Sequence, residues 1–291
     1  MSDKHTNKKA VIVRDVVKEL RNMPFIKSLT LVGSHADLEK PMETVNDLDF
    51  IVVVDRLTWD RYKKVGDAFR KVKADHETED VGIHHEERIG PIKMPVTRRI
   101  NIILHQVLFD VESYVGRTER LPLSSYDWQR FQPLLGCHLK EIAEAKGITA
   151  HDIMKTRGGI EDYINQIHEG STSCLVYDRN SIEPKLEKRM IKVRGNQEVE
   201  LLHNAMKNNI RNFMKLHLKD NFELTPEIIE KFFELFGNGK HRELYHEVSS
   251  LKAALRNGKH AEADMGALKK RTVRFLEELE KTVSNQYCLA T

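Results

Sequence analysis

Two carboxylates one residue apart, Asp47 and Asp49, follow the pair Gly33-Ser34 after an interval of twelve residues. Leu31-Val32 precedes the glycine, and Phe50-Ile51-Val52-Val53-Val54 follows the second aspartate. Both halves of the pattern therefore abut apolar runs of strand type. In a strand, residues i and i+2 share a face, so Asp47 and Asp49 project side by side. Adjacent carboxylates repel unless a cation lies between them. Hard oxygen donors so placed suit Mg²⁺, which binds through one or two carboxylates and completes its shell with substrate phosphates. Gly33 permits a tight turn and a close approach of backbone to phosphate. The Ser34 hydroxyl and the N–H groups after it are potential phosphate donors.

Such a site needs a sheet to carry it, and the first 125 residues or so supply one. Val11, Val13, Val16, Val17 and Leu20 mark an amphipathic helix. Strands are expected at 25–32, 49–54, 81–87 and 99–109, the last two joined across Gly90-Pro91, with a charged helix at 59–73. This is an α+β unit with a mixed or antiparallel sheet. After Pro122 the pattern turns helical: 128–145 ending at Gly147, 149–154, 160–168 beyond Gly158-Gly159, 198–218, a helix capped by Thr225-Pro226 and ending at Gly237, 241–256 and 261–283. No strong strand is expected in this half. The expected division is 1–122, a catalytic domain, and 123–291, a helical domain that binds the acceptor.

At 291 residues the chain is long enough to bury its own cores, and its net charge of +3 implies no global field for polyanions. The three cysteines, Cys137, Cys174 and Cys288, form no metal-binding spacing and read as reduced thiols. A polar N-terminus and the lack of a long apolar run predict a cytoplasmic protein without a membrane span.

Strand, Gly-Ser, turn, Asp-x-Asp, strand is the signature of the nucleotidyltransferase superfamily with the DNA polymerase β-like fold, and residues 10–112 resemble it. The resemblance implies transfer of an NMP, AMP from ATP, to an acceptor hydroxyl with release of pyrophosphate. It implies two Mg²⁺ ions, a nucleotide site at Gly33 and Ser34, and metal ligands at Asp47 and Asp49. Two such ions, about 3.5–4 Å apart, stabilise both attacking and leaving oxygens. A small-molecule acceptor, as in aminoglycoside nucleotidyltransferases, fits a chain without a strongly basic face. A toxin-like enzyme acting on protein or RNA is the alternative.

The family's third acid lies on a later strand, and the matching segment here is Arg98-Arg99-Ile100-Asn101-Ile102-Ile103-Leu104-His105. Position 101 is asparagine, which can ligate but cannot act as a base. Three readings stay open. Asn101 marks a nucleotide-binding module with little or no turnover; another residue substitutes; or the alignment is shifted. Glu86 and Glu87 are candidate substitutes. His105 shares the face of Asn101, but about 13 Å along the strand, and Asp110 faces the other way. His84-His85-Glu86-Glu87 reads as a half-exposed strand rather than a metal cluster.

In the helical half, Lys207, Arg211 and Lys215 recur every four residues, and Lys207 and Arg211 are candidate phosphate contacts. The three make a basic stripe on one face, for which a solvated helix face is the plainer reading; Arg211 and His217 loosely resemble the Arg/His motif of HEPN ribonucleases, a spacing common by chance on a basic helix. Glu161 and Asp162 are candidate acceptor contacts by position. Trp128 and Phe131 could stack a base, although core packing accounts for them as well.

Overall fold

The computed structural model describes residues 3–90, 99–120, 122–145, 150–218, 225–237, 239–257 and 263–287. It divides into two units: Met1–Gly90, Met94–Lys146 and Cys174–Arg189 in the first, Pro91–Lys93, Gly147–Ser173 and Met190–Thr291 in the second. The expected boundary at 122/123 falls inside the first unit.

The first unit is built on a five-stranded mixed sheet. Its strands are β1 (Ile26–Val32), β2 (Val45–Val54), β3 (Val81–Glu86), β4 (Ile100–Asp110) and β5 (Pro133–Gly136), in the order β3-β4-β2-β1-β5. β2 runs parallel to β4 and antiparallel to β1, and β3 runs parallel to β4. β2 is almost wholly buried, which its unbroken apolar run requires of a central strand. It begins at Val45, four residues earlier than its apolar run suggests, so both aspartates lie within the ladder.

Alternation sorts the side chains of β2 and β4 onto two cores. Leu48, Phe50, Val52, Val54, Ile102, Leu104 and Leu108 face one, packed by α1 (Asp3–Leu20) and α2 (Trp59–His76). Ile51, Val53, Val107 and Phe109 face the other, together with Tyr114 of α3 (Val111–Arg120) and Leu139 of α5 (Leu139–Ile142). Thr58 caps α2 by accepting from the Arg61 N–H.

Two expectations in the middle of the chain are corrected. Residues 128–145 do not form one helix: α4 (Pro122–Trp128) ends, β5 follows, and α5 is a single turn. Pro133 has no N–H to give a helix interior. Gly136 has φ +74°, and a Cβ there would lie 2.0 Å from the Lys27 carbonyl oxygen. Close pairing with β1 is thus open to glycine alone. The stretch 170–195 holds a hairpin, β6 (Ser171–Tyr177) and β7 (Leu186–Lys192), with Pro184 in its loop. Leu175 bridges to Ile89, and the Tyr177 hydroxyl donates to the Leu108 carbonyl at 2.7 Å.

The second unit packs α6 (Ala150–Glu169), α7 (Asn196–Leu218), α8 (Thr225–Leu235), α9 (Gly239–Arg256) and α10 (Met265–Gln286) around a core that includes Ile160, Met206, Phe213, Phe232 and Phe275. α6 runs unbroken through Gly158-Gly159, so these glycines separate no helices. The helix start expected at Thr149, the stop at Gly147, the joint at Pro91, residues 261 and 262 of the last expected helix, Arg98 and Cys288 all lie outside the described residues. So does the side chain of Thr225. Among the described residues, no helix is long and apolar enough to cross a membrane.

Candidate active site

The site forms where β1 ends and β2 begins. Val32 lies opposite Asp49, so Gly33 leaves β1 beside that carboxylate. Gly33 has φ +86°, and a Cβ on it would stand 2.7 Å from Asp49 Oδ2. Its conformation and its lack of a side chain are both required: a larger residue would be strained and would occupy the place of the carboxylate. The following turn closes with the Ala36 N–H donating to the Gly33 carbonyl at 3.2 Å. Ser34 is exposed on it, whereas His35 is buried.

Lys9, from α1, is buried beneath this turn. Its ammonium donates to the Lys40 carbonyl at 2.5 Å and reaches the Asp37 carbonyl at 3.5 Å. Burial, first, and then the nearby Lys40 charge lower its pKa. Burial also pushes the His35 pKa down, to about 4, with Lys40 and Lys9 adding to the shift against Glu43 and Asp47. His35 is therefore neutral at pH 7.

Asp47 and Asp49 share one face of β2, Asp47 buried and Asp49 partly exposed. The register decides what stands beside them. Ile103 pairs with Asp47, and His105 pairs with Asp49. On the far side of β4, His105 pairs with Glu86. One row thus crosses three strands: Asp49, His105, Glu86. His105 Nδ1 lies 2.7 Å from Asp49 Oδ1, and Nε2 lies 2.8 Å from the Arg88 carbonyl oxygen. An oxygen thus faces each ring nitrogen, which fixes the orientation of the imidazole.

Glu86 is the carboxylate of its pair that faces this row. Burial raises its pKa, but hydrogen bonds from the Arg88 guanidinium and backbone N–H outweigh that and hold it low. Arg88 Nε and N–H each donate to Oε1 at 2.8 Å, and Nη2 donates to Oε2 at 2.5 Å. Glu87 points to the α2 side, accepting from the Tyr62 hydroxyl at 2.7 Å and Arg70 Nη1 at 3.1 Å.

Asn101 is not level with the aspartates. It pairs with Val45, and its amide donates to the Thr44 carbonyl at 3.3 Å while its own carbonyl accepts from Asn46 Nδ2 at 3.3 Å. Asn46 also exchanges hydrogen bonds with Glu43 at 2.6 and 2.9 Å. This buried pair fastens the entry into β2. The residue at the level of Asp49 is His105, which counting along β4 from Asn101 sets aside. Lys9 and Arg88 also emerge only from the fold. Nothing in the sequence marks a lysine in a charged helix as buried, or an arginine two residues past a glutamate as its clamp.

The basic stripe on α7 is corrected. Lys207 and Arg211 are half-buried on the second unit, but Lys215 is buried, so the three do not form one solvated face. His217 stacks on Phe213, lies edge-on to Phe236 and takes a hydrogen bond from Gln286 at 2.6 Å. Glu161 pairs with Arg157, and Asp162 accepts from Gln166. Trp128 and Phe131 pack against the Phe109 core, with Arg117 over the Trp128 ring at 4.4 Å.

The donor set fits a magnesium ion that substrate phosphates complete. Two hard carboxylates share a face, and the space that a Cβ of residue 33 would fill admits Asp49 Oδ2. Among the described residues, no three His, Cys, Asp or Glu side chains are grouped to hold a metal by themselves.

No family model and no curated protein matches the chain. Among solved structures, it is similar to the spectinomycin adenyltransferase of Enterococcus faecialis, solved with ATP and spectinomycin. The TM-score is 0.52 at 14% identity, over 94% of this chain and 99% of that one. The likeness shows the fold: an α+β nucleotidyltransferase fold followed by a helical region.

Proposed function

We propose that this chain transfers a nucleotidyl group, AMP from ATP, to the hydroxyl of a small molecule. The observation that carries the reading is the contact of Gly33 with Asp49, with Asp47 on the same face. This joins a phosphate-accommodating turn to a pair of metal-binding carboxylates. The likeness to an adenyltransferase solved with ATP and a small-molecule acceptor supports the same class.

In the reaction, the acceptor oxygen bonds to the α-phosphorus as the bond to the β-phosphate bridging oxygen breaks. Pyrophosphate leaves with that electron pair. Asp47 and Asp49 would hold Mg²⁺, which supplies charge neutralisation at the phosphates when bound. The Gly33–Lys40 turn receives the triphosphate, and His105 fixes the orientation of Asp49. The acceptor proton needs a base. Of the row's carboxylates Glu86 is the one not assigned to the nucleotide end, and Arg88 must release it to serve.

The test is pyrophosphate release from Mg-ATP with a panel of aminocyclitol and aminoglycoside acceptors. Asp47→Ala with Asp49→Ala should abolish release and Mg-ATP binding, and undiminished release would refute the assignment. A second reading rests on the Arg88 clamp and on His105 in place of an acid: nucleotide binding without turnover. It predicts saturable Mg-ATP binding by calorimetry and no pyrophosphate with any acceptor. In the enzyme reading, Glu86→Gln should lower release about 100-fold or more at unchanged ATP affinity.

A further inference from the structure

A second concave site lies wholly within the first unit, past the end of β3. Tyr62, Glu87, Arg88, Arg179, Asn180 and Arg189 line a pocket of about 360 Å³ between α2, the end of β3 and the β6–β7 hairpin. The volume lies within the range of small-molecule sites and is more than one oxyanion fills.

Its chemistry is that of an anion receptor. Three arginines line it against one lining carboxylate, Glu87. That carboxylate is already engaged by Tyr62, Arg70 and, at 3.5 Å, Arg179. The Arg179 and Arg189 side chains are 77% and 55% exposed; Arg189 pairs with the exposed Glu187, and Arg179 reaches the largely covered Glu87 only at 3.5 Å. Exposed pairs of this kind exchange at little cost, so both side chains can turn to a ligand. Planar guanidiniums recognise phosphate bidentately, and several together select for it.

We propose that this pocket binds a small molecule bearing a phosphate monoester. The site does not rest on the nucleotidyl-transfer reading, because none of its lining residues is Asp47, Asp49 or Gly33. It does share one residue with the candidate active site. Arg88, whose guanidinium clamps Glu86, is also one of the residues that line the pocket. A bound phosphate and the Glu86 carboxylate therefore compete for Arg88, and occupancy loosens the clamp on Glu86.

Isothermal titration of the full chain with glucose 6-phosphate, in magnesium-free buffer of low salt, tests the proposal, with glucose as the control. Glucose 6-phosphate should bind saturably and glucose should not. Arg179→Ala with Arg189→Ala should weaken binding at least about tenfold. Both side chains are exposed, so the thermal midpoint should stay at the wild-type value. Asp47→Ala with Asp49→Ala should leave the affinity unchanged, which separates this site from the nucleotide site. Glu86→Gln, which weakens the competitor for Arg88, should tighten binding several-fold. Absence of saturable binding, binding that survives the double arginine variant, or binding lost with the aspartates would each overturn the proposal.

Discussion

Gly33 and His105 show how single residues set the terms of this site. Gly33 combines a backbone conformation that L side chains rarely adopt with a carboxylate oxygen where its Cβ would be. Gly33→Ala must therefore pay a left-handed backbone cost of about 1–2 kcal/mol and also displace Asp49. The expected result is a modest fall in the thermal midpoint and a much larger loss of Mg-ATP affinity, read by calorimetry. A variant that lost stability but kept its affinity would show that Asp49 does not hold the nucleotide end. His105 acts through its position between two acceptors. It engages Oδ1 of Asp49 and leaves Oδ2, on the Gly33 side, as the oxygen turned toward the turn. His105→Leu removes a charge-assisted bond whose net worth is about 1.5–3 kcal/mol, and urea denaturation without magnesium should show a loss of that size.

At the scale of elements, the turn between β1 and β2 is held from below by a helix. Lys9 of α1 bonds to the Lys40 carbonyl, and the Asn46–Asn101 pair closes the other end against β4. Lys9→Met keeps most of the volume but leaves a part-buried carbonyl without its donor, at about 1–3 kcal/mol. For a unit of this size each kcal/mol shifts the midpoint by about 2–4 °C. The same variant should raise the ATP KM more than it lowers kcat, since it loosens the phosphate turn without touching the acceptor. An unchanged KM would remove the turn from the binding step. The elements themselves were legible where periodicity is strong. The β2 run, α2, the two-residue spacing of the aspartates and the helices α7 to α10 of the second unit declare themselves in the sequence, whereas α6 read as two pieces because of Gly158-Gly159. What escaped was pairing. β5 is four residues long, and its signals, Pro133 and Gly136, count only once β1 is known to have an open edge. β6 and β7 alternate too weakly to stand out from loop composition. The place of His105 beside Asp49 follows from the β2–β4 register, which no local pattern carries.

Across the whole molecule, each unit holds a histidine in its neutral form, and this couples folding to pH. Burial, with help from Lys40 and Lys9, holds His35 of the first unit at about 4. Burial together with Lys252 and Lys207 holds His203 of the second at about 3. Lys252 donates to His203 Nδ1 at 3.0 Å and pairs with Glu200, which also takes Arg256. Both folded values lie below the unfolded value of about 6.5. Between the folded and unfolded values the unfolded chain binds more protons, so stability there rises with pH. The contribution is complete above about pH 6.5 and is lost as the pH falls toward 4 for His35 and toward 3 for His203. Its ceiling for His35 is on the order of 3 kcal/mol. Urea denaturation at pH 7 and pH 5 should therefore show a marked loss of stability at the lower value. His35→Gln and His203→Gln remove the titrating groups, so each should be less stable than the wild type at pH 7 yet lose less between the two pH values. Because the histidines belong to separate units, the two reductions in slope should add. A wild-type stability that stayed flat from pH 7 to pH 5 would mean that these rings are protonated in the native fold.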